Sequence, residues 1–115
     1  MPNRVIEMRV YNLKPGARDE LHRLMTEQAY PMLRRWDVDV VAFGPSLDEE
    51  NAYYLIRSYA DVADLRQSQD AFYGSDEWKQ GPREPVLALI ESYASAVIEV
   101  DEATLRGLRR LPDAG

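Results

Sequence analysis

Residues 4–13 alternate between two faces. Ile6, Met8 and Val10 fall on one, Glu7, Arg9 and Tyr11 on the other, and this two-residue period predicts a β-strand. Pro15-Gly16 ends the strand and the period changes. Leu21, Met25, Ala29, Met32, Leu33 and Trp36 lie on one stripe of a 3.6-residue wheel, which predicts an amphipathic helix over residues 17–35. Pro31 falls inside it and, lacking an N–H, is expected to kink or loosen the last turn. Residues 38–44 are rich in β-branched side chains, close on Gly44-Pro45 and predict a second strand. A polar turn, SLDEEN, leads into a third strand at 52–59, with Tyr53, Leu55, Arg57 and Tyr59 on one face.

Asp61, with Asp64 three residues on, has the pattern of an N-cap for a helix ending near Gly74. Ser75 before Asp76 and Glu77 marks a new helix start. Gly81-Pro82 breaks that piece, and Pro85 suits the first turn of a helix through Ile90. A last strand from Tyr93 to Val100 places Ala94, Ala96, Ile98 and Val100 together. The resulting order, β-α-β-β-α-β with a divided second helix, is that of an α+β ferredoxin-like fold: a four-stranded antiparallel sheet with helices on one face. No repeat or linker interrupts it. One domain over residues 1–115 is expected, with a core at about 4–100 and a C-terminal helix or tail at 101–115.

Helices on one side leave the other face of the sheet to be filled. The face carrying Glu7, Arg9 and Tyr11 with Tyr53, Leu55, Arg57 and Tyr59 is too apolar to stay wet. A homodimer packed sheet to sheet through it, forming a barrel-like pair, is the expectation.

Composition narrows the function classes. A net charge of −6 argues against nucleic acid as a partner. No stretch reaches the ~20 apolar residues of a membrane helix, and no apolar leader precedes the first strand, so a cytoplasmic location away from membranes is expected. The absence of cysteine removes disulfide, thiolate-metal and cysteine-nucleophile chemistry. No H-E-x-x-H, G-x-S-x-G or glycine-rich nucleotide pattern occurs, and neither a metal nor a cofactor is expected.

Three segments, IEMRVYNLKPG, YYLIRSYADVADL and FYGSDEW, together resemble the NIPSNAP family, particularly its short bacterial members, and the resemblance spans roughly residues 5–100. That family is similar in fold to the dimeric α/β-barrel proteins. The wider fold group includes cofactor-free monooxygenases of antibiotic biosynthesis, small isomerases, decarboxylases and haem-binding enzymes. The resemblance implies the fold and assigns no catalytic residue.

His22 is the only histidine, and general acid–base chemistry near neutral pH falls to it first, with Asp19 placed to orient its ring. The bland alternative is a half-buried histidine satisfied by Asp19 or water. Arg9, Tyr11, Arg57 and Tyr59 form the second candidate set. With Glu7 they make either a charge network inside the dimer or a cavity where arginine holds an anionic or carbonyl-bearing ligand and tyrosine donates a hydrogen bond; the pattern does not say which face of each strand lines it. Trp36 and Trp78, with Tyr30, Phe72 and Tyr73, line the mouth of such a pocket or belong to ordinary core. The expected function is binding of a small carbonyl-containing or aromatic metabolite between sheet and helices. A cofactor-independent monooxygenase or isomerase and a structural or protein-interaction module are the alternatives.

Overall fold

The computed structural model of the chain describes residues 3–110. Strand β1 (Arg4–Leu13) lies inside a four-stranded sheet between β3 (Ala52–Tyr59) and β4 (Ile90–Val100), and β2 (Asp39–Pro45) forms the other edge beyond β3. All neighbours are antiparallel, in the order β2-β3-β1-β4. This is the ferredoxin-like arrangement that the element order implies.

The first crossover is a continuous helical rod made of α1 (Arg18–Leu24), a π-helical turn (Met25–Ala29) and α2 (Tyr30–Arg35). The wide turn sits immediately before Pro31, where the missing N–H breaks the regular ladder, so proline changes the winding of the rod without ending it. Leu21, Met25, Ala29, Met32 and Leu33 are buried as the wheel predicts, and Trp36 is half-buried. Gly16, at φ +78°, supplies the left-handed position of the turn that launches the rod.

The second crossover holds α3 (Val62–Tyr73), α4 (Asp76–Gln80) and α5 (Arg83–Leu87). Asp61 caps α3 through the Asp64 N–H at 2.7 Å, and the Asp64 carboxylate accepts from Ala60 N–H at 2.9 Å, one residue before the N–H that a capping box uses. Ser75 caps α4 through Trp78 N–H. The helix expected to run through Ile90 stops at Leu87, and β4 begins three residues earlier than Tyr93. Lys14 N–H bonds the Leu89 carbonyl at 3.0 Å and Leu13 pairs with Ile90 across a bulge, so the ladder captures the chain early.

The two faces of the sheet are the reverse of the expectation. Glu7, Arg9 and Tyr11, with Tyr53, Leu55, Arg57 and Tyr59, point under the helices; Met8, Val10, Ala94, Ala96 and Ile98 lie on the open face. Both faces are apolar enough to be buried, so hydropathy alone does not choose between them. Bulk does: Tyr11, Tyr53 and Tyr59 fill the gap between sheet and helices, and the mainly aliphatic face, with Tyr54 near its β2 edge, is left outside. The last helix, α6 (Glu102–Leu108), folds over one end of that outer face. Leu105 packs there with Ile6, Val41, Ala42, Ile56 and Val100. Asp101 caps α6 through Thr104 N–H, and Arg109 forks onto Asp39 with two bonds of 2.9 Å. Residues 111–115 of the expected tail lie outside the described residues.

Candidate functional site

Register creates the site. Glu7 on β1 stands directly opposite Arg57 on β3, and Arg9 follows two residues along on the same face. Arg57 is 1% exposed and donates from Nη2 to Glu7 Oε1 at 2.5 Å; Arg9 Nη2 donates to Glu7 Oε2 at 2.9 Å. Helix α3 brings Gln69 and Tyr73, one turn apart on one face, over this pair. Gln69 Nε2 donates to Glu7 Oε1 at 2.9 Å and to the Tyr59 hydroxyl at 3.3 Å. The Tyr73 hydroxyl oxygen accepts from Arg57 Nη1 at 2.8 Å and from Arg9 Nη1 at 3.3 Å. The Nε atoms of both arginines are buried and have no partner among the described residues. Two guanidiniums thus face one carboxylate, leaving one positive charge in excess.

Burial works to raise the Glu7 carboxyl, yet the charges of Arg57 and Arg9 and their hydrogen bonds outweigh it and hold Glu7 below its ordinary value. Burial pushes the Tyr11 phenol up to about 12, so it stays protonated at neutral pH.

A cleft of about 330 Å³ opens beside the cluster, between β1, β4 and the second crossover. Arg9 forms part of its floor, and Tyr73, Trp78, Leu87 and Tyr93 supply aromatic and aliphatic walls. Gln69, Asp70 and Arg83 supply polar ones. The Tyr93 ring lies 4.6 Å from the Arg9 guanidinium carbon, a cation–π stack that fixes the plane of the arginine. Trp78 packs against Tyr73 and Phe72 at 5.4 Å between ring centroids. Aromatic and aliphatic walls combined with convergent polar groups are the usual make-up of a small-molecule site, and this cleft is at the small end of the ~300–1,000 Å³ range.

The structure brings together Arg9, Arg57, Tyr59 and Trp78 of the sequence candidates, with Arg9 and Trp78 on the cleft surface and Arg57 and Tyr59 behind it. Tyr11 is buried beneath, lining a small apolar void with Met25, Leu55, Phe72 and Trp78. Trp36 sits outside the cleft: its ring meets Phe72 edge-on and its Nε1 donates to Glu77 Oε1 at 2.8 Å. Tyr30 packs against Phe43, away from the other aromatics. His22 stands apart as well. It is exposed on α1 and its Nδ1 lies 2.6 Å from the Tyr53 hydroxyl, not against Asp19, which contacts Arg18. Tyr53 and Arg57 are four residues apart on one face of β3, about 13 Å along the strand. Among the described residues no cluster of His, Asp and Glu is arranged to hold a metal ion, and no helix is long and apolar enough to cross a membrane.

The sequence reading passed over Gln69, Asp70, Arg83, Leu87 and Tyr93. Gln69 had a visible signal, since it lies four residues before Tyr73 and beside the Leu65–Phe72 core stripe. Arg83, Leu87 and Tyr93 had none, because their convergence depends on where the short helices dock.

These features define an α+β protein with a charged cluster beneath a cleft between sheet and helices. The NIPSNAP family model matches residues 6–102, and the chain belongs to the NIPSNAP family. A solved NIPSNAP family protein from Agrobacterium tumefaciens has the same fold, with a TM-score of 0.80 and 14% identity over 89% of this chain and 90% of that one. A NIPSNAP-like domain protein from Burkholderia xenovorans gives 0.76 and 16% over 83% of each. A putative antibiotic biosynthesis monooxygenase from Nitrosomonas europaea gives 0.62 and 12%, over 82% of this chain and 95% of that one. No curated protein matches the chain.

Proposed function

We propose that the chain binds a small aromatic or carbonyl-bearing metabolite in the cleft above Arg9 and Tyr73. One observation carries the reading: a buried, positively charged hydrogen-bond cluster lies at the floor of a cleft that Tyr73, Trp78, Leu87 and Tyr93 wall with aromatic and aliphatic surface. A purely structural module gains little from such a cluster, because buried ion pairs are poor stabilisers compared with well-packed apolar side chains. The site needs no cofactor to bind. The fold shared with the putative monooxygenase supports an oxygenase as the second reading, with Tyr73 or Arg9 at the reacting carbonyl; the position of His22 outside the cleft gives that histidine no direct part in it.

The working unit is a homodimer. Met8, Val10 and Ile98 are 39%, 43% and 45% exposed on the open sheet face, in one patch with Ala94 and Ala96. A second copy covers such a self-complementary face economically.

The test of binding is a thermal-shift screen of aromatic and carbonyl-bearing acids, amides and ketones on the wild type and on Leu87→Trp, which narrows the cleft mouth. Compounds that raise Tm are expected to lose the effect in the variant. A screen in which the same compounds stabilise both proteins equally places the ligand elsewhere and defeats the reading.

A further inference from the structure

The cluster beneath the cleft is unbalanced in two independent ways. Its charges do not cancel: Arg9 and Arg57 share the single carboxylate of Glu7. Asp70 and Arg83 stand on the cleft wall nearer to solvent, where Arg83 also meets Glu84, and water screens them. Its hydrogen bonds do not balance either. The two guanidiniums offer more N–H groups than Glu7, Tyr73 and Gln69 accept, and the Nε of each is left over.

Tyr73 completes the picture. Its hydroxyl oxygen accepts from both arginines, while among the described residues none accepts its own O–H. A phenol held this way donates, and Tyr73 lines the cleft. Surplus positive charge, surplus donors and a free O–H call for the same missing partner, an oxygen acceptor bearing one negative charge.

Resting on the proposed binding function, we infer that the ligand is a monoanion whose single carboxylate or enolate oxygen sits on the Tyr73 hydroxyl and the Arg9 guanidinium, with its apolar part along Trp78 and Leu87. A neutral ligand leaves the excess charge in place, and a dianion overshoots it.

Three compounds with the same ring separate these cases: phenylacetamide, phenylacetate and phenylmalonate, carrying zero, one and two negative charges at neutral pH. Calorimetric titration of the wild type is expected to rank phenylacetate above both others, by roughly tenfold or more over the amide. Arg9→Gln, which brings the cluster to neutrality, is expected to level acid and amide. Tyr73→Phe is expected to weaken phenylacetate far more than phenylacetamide. Arg23→Gln, on α1 beside Glu20 and away from the cleft, is expected to keep the preference, and thermal melts of the free variants check that each is folded. The inference is overturned if the amide or the dianion binds as well as the monoanion, or if Arg23→Gln erases the preference while Arg9→Gln retains it. If none of the three binds, the inference falls together with the binding reading; if all three bind alike, only the charge assignment fails.

Discussion

Replacing Glu7 by Gln keeps the size of the side chain and removes the carboxylate that pairs with both Arg9 and Arg57. Two buried guanidiniums then face each other without a counter-charge. Breaking a buried pair in this way costs about 3–5 kcal/mol, a large share of the ~5–15 kcal/mol that stabilises a domain. At about 4 °C per kcal/mol, Tm falls by roughly 12–20 °C. Arg57→Met is different, because Glu7 stays neutralised by Arg9 at 2.9 Å. It loses hydrogen bonds to Tyr73 and Glu7 and costs about 1–3 kcal/mol. The sharper consequence lies in the double variant. Adding Arg57→Met to Glu7→Gln restores the original net charge of the cluster, so the second substitution stabilises the first although it destabilises the wild type. Urea unfolding followed by tryptophan fluorescence, at one fixed protein concentration, measures the three variants. Additive costs in the double variant refute the claim that an excess cation is held in the cluster.

Further predictions concern pH, the open face, the last helix and the histidine. The Glu7 carboxyl titrates lower in the folded chain than its ordinary 4.5, so its stabilisation is complete above that value and is lost as the pH falls from 4.5 through the folded value. Acid unfolding of the wild type is therefore expected to be steeper below pH 4.5 than that of Glu7→Gln. Val10→Asp, placed in the exposed apolar patch, is expected to give a monomer by light scattering at concentrations where the wild type is a dimer; a monomeric wild type contradicts the assigned face. Leu105→Ala, on the buried side of α6, is expected to cost about 2–4 kcal/mol in urea, and a loss within about 0.5 kcal/mol, the usual surface scale, contradicts tight docking of α6. His22→Ala removes the partner of the Tyr53 hydroxyl and is expected to lower stability by about 1–3 kcal/mol while leaving phenylacetate affinity unchanged; a comparable loss of affinity makes the histidine part of the site.

The strands and caps were legible because each rests on local physics. The alternation in 4–13, the Asp61 cap and the stripe from Leu21 to Leu33 need no knowledge of the rest of the chain. Pro31 was legible as a disturbance, though its form, a π-helical turn ahead of it, follows from the rod keeping its apolar stripe on the sheet. The assignment of faces was not legible. Met8 and Val10 are as hydrophobic as Tyr11 and Leu55, and the choice between them is made by volume across the whole layer. The site was half legible for the same reason. Glu7, Arg9 and Arg57 stood out as charges in strands, but Tyr73 meets them only because α3 crosses the sheet above them. Distance decided against grouping His22 with them, and strand spacing shows that distance once its contact with Tyr53 is known.

The most direct measurement of the central claim is a crystal structure of the chain with phenylacetate. The carboxylate is expected within about 3 Å of the Tyr73 hydroxyl and Arg9, the spacing of a charge-assisted hydrogen bond, with the ring against Trp78. A ligand bound elsewhere, or one whose carboxylate points out to solvent with its ring on the arginines, contradicts it.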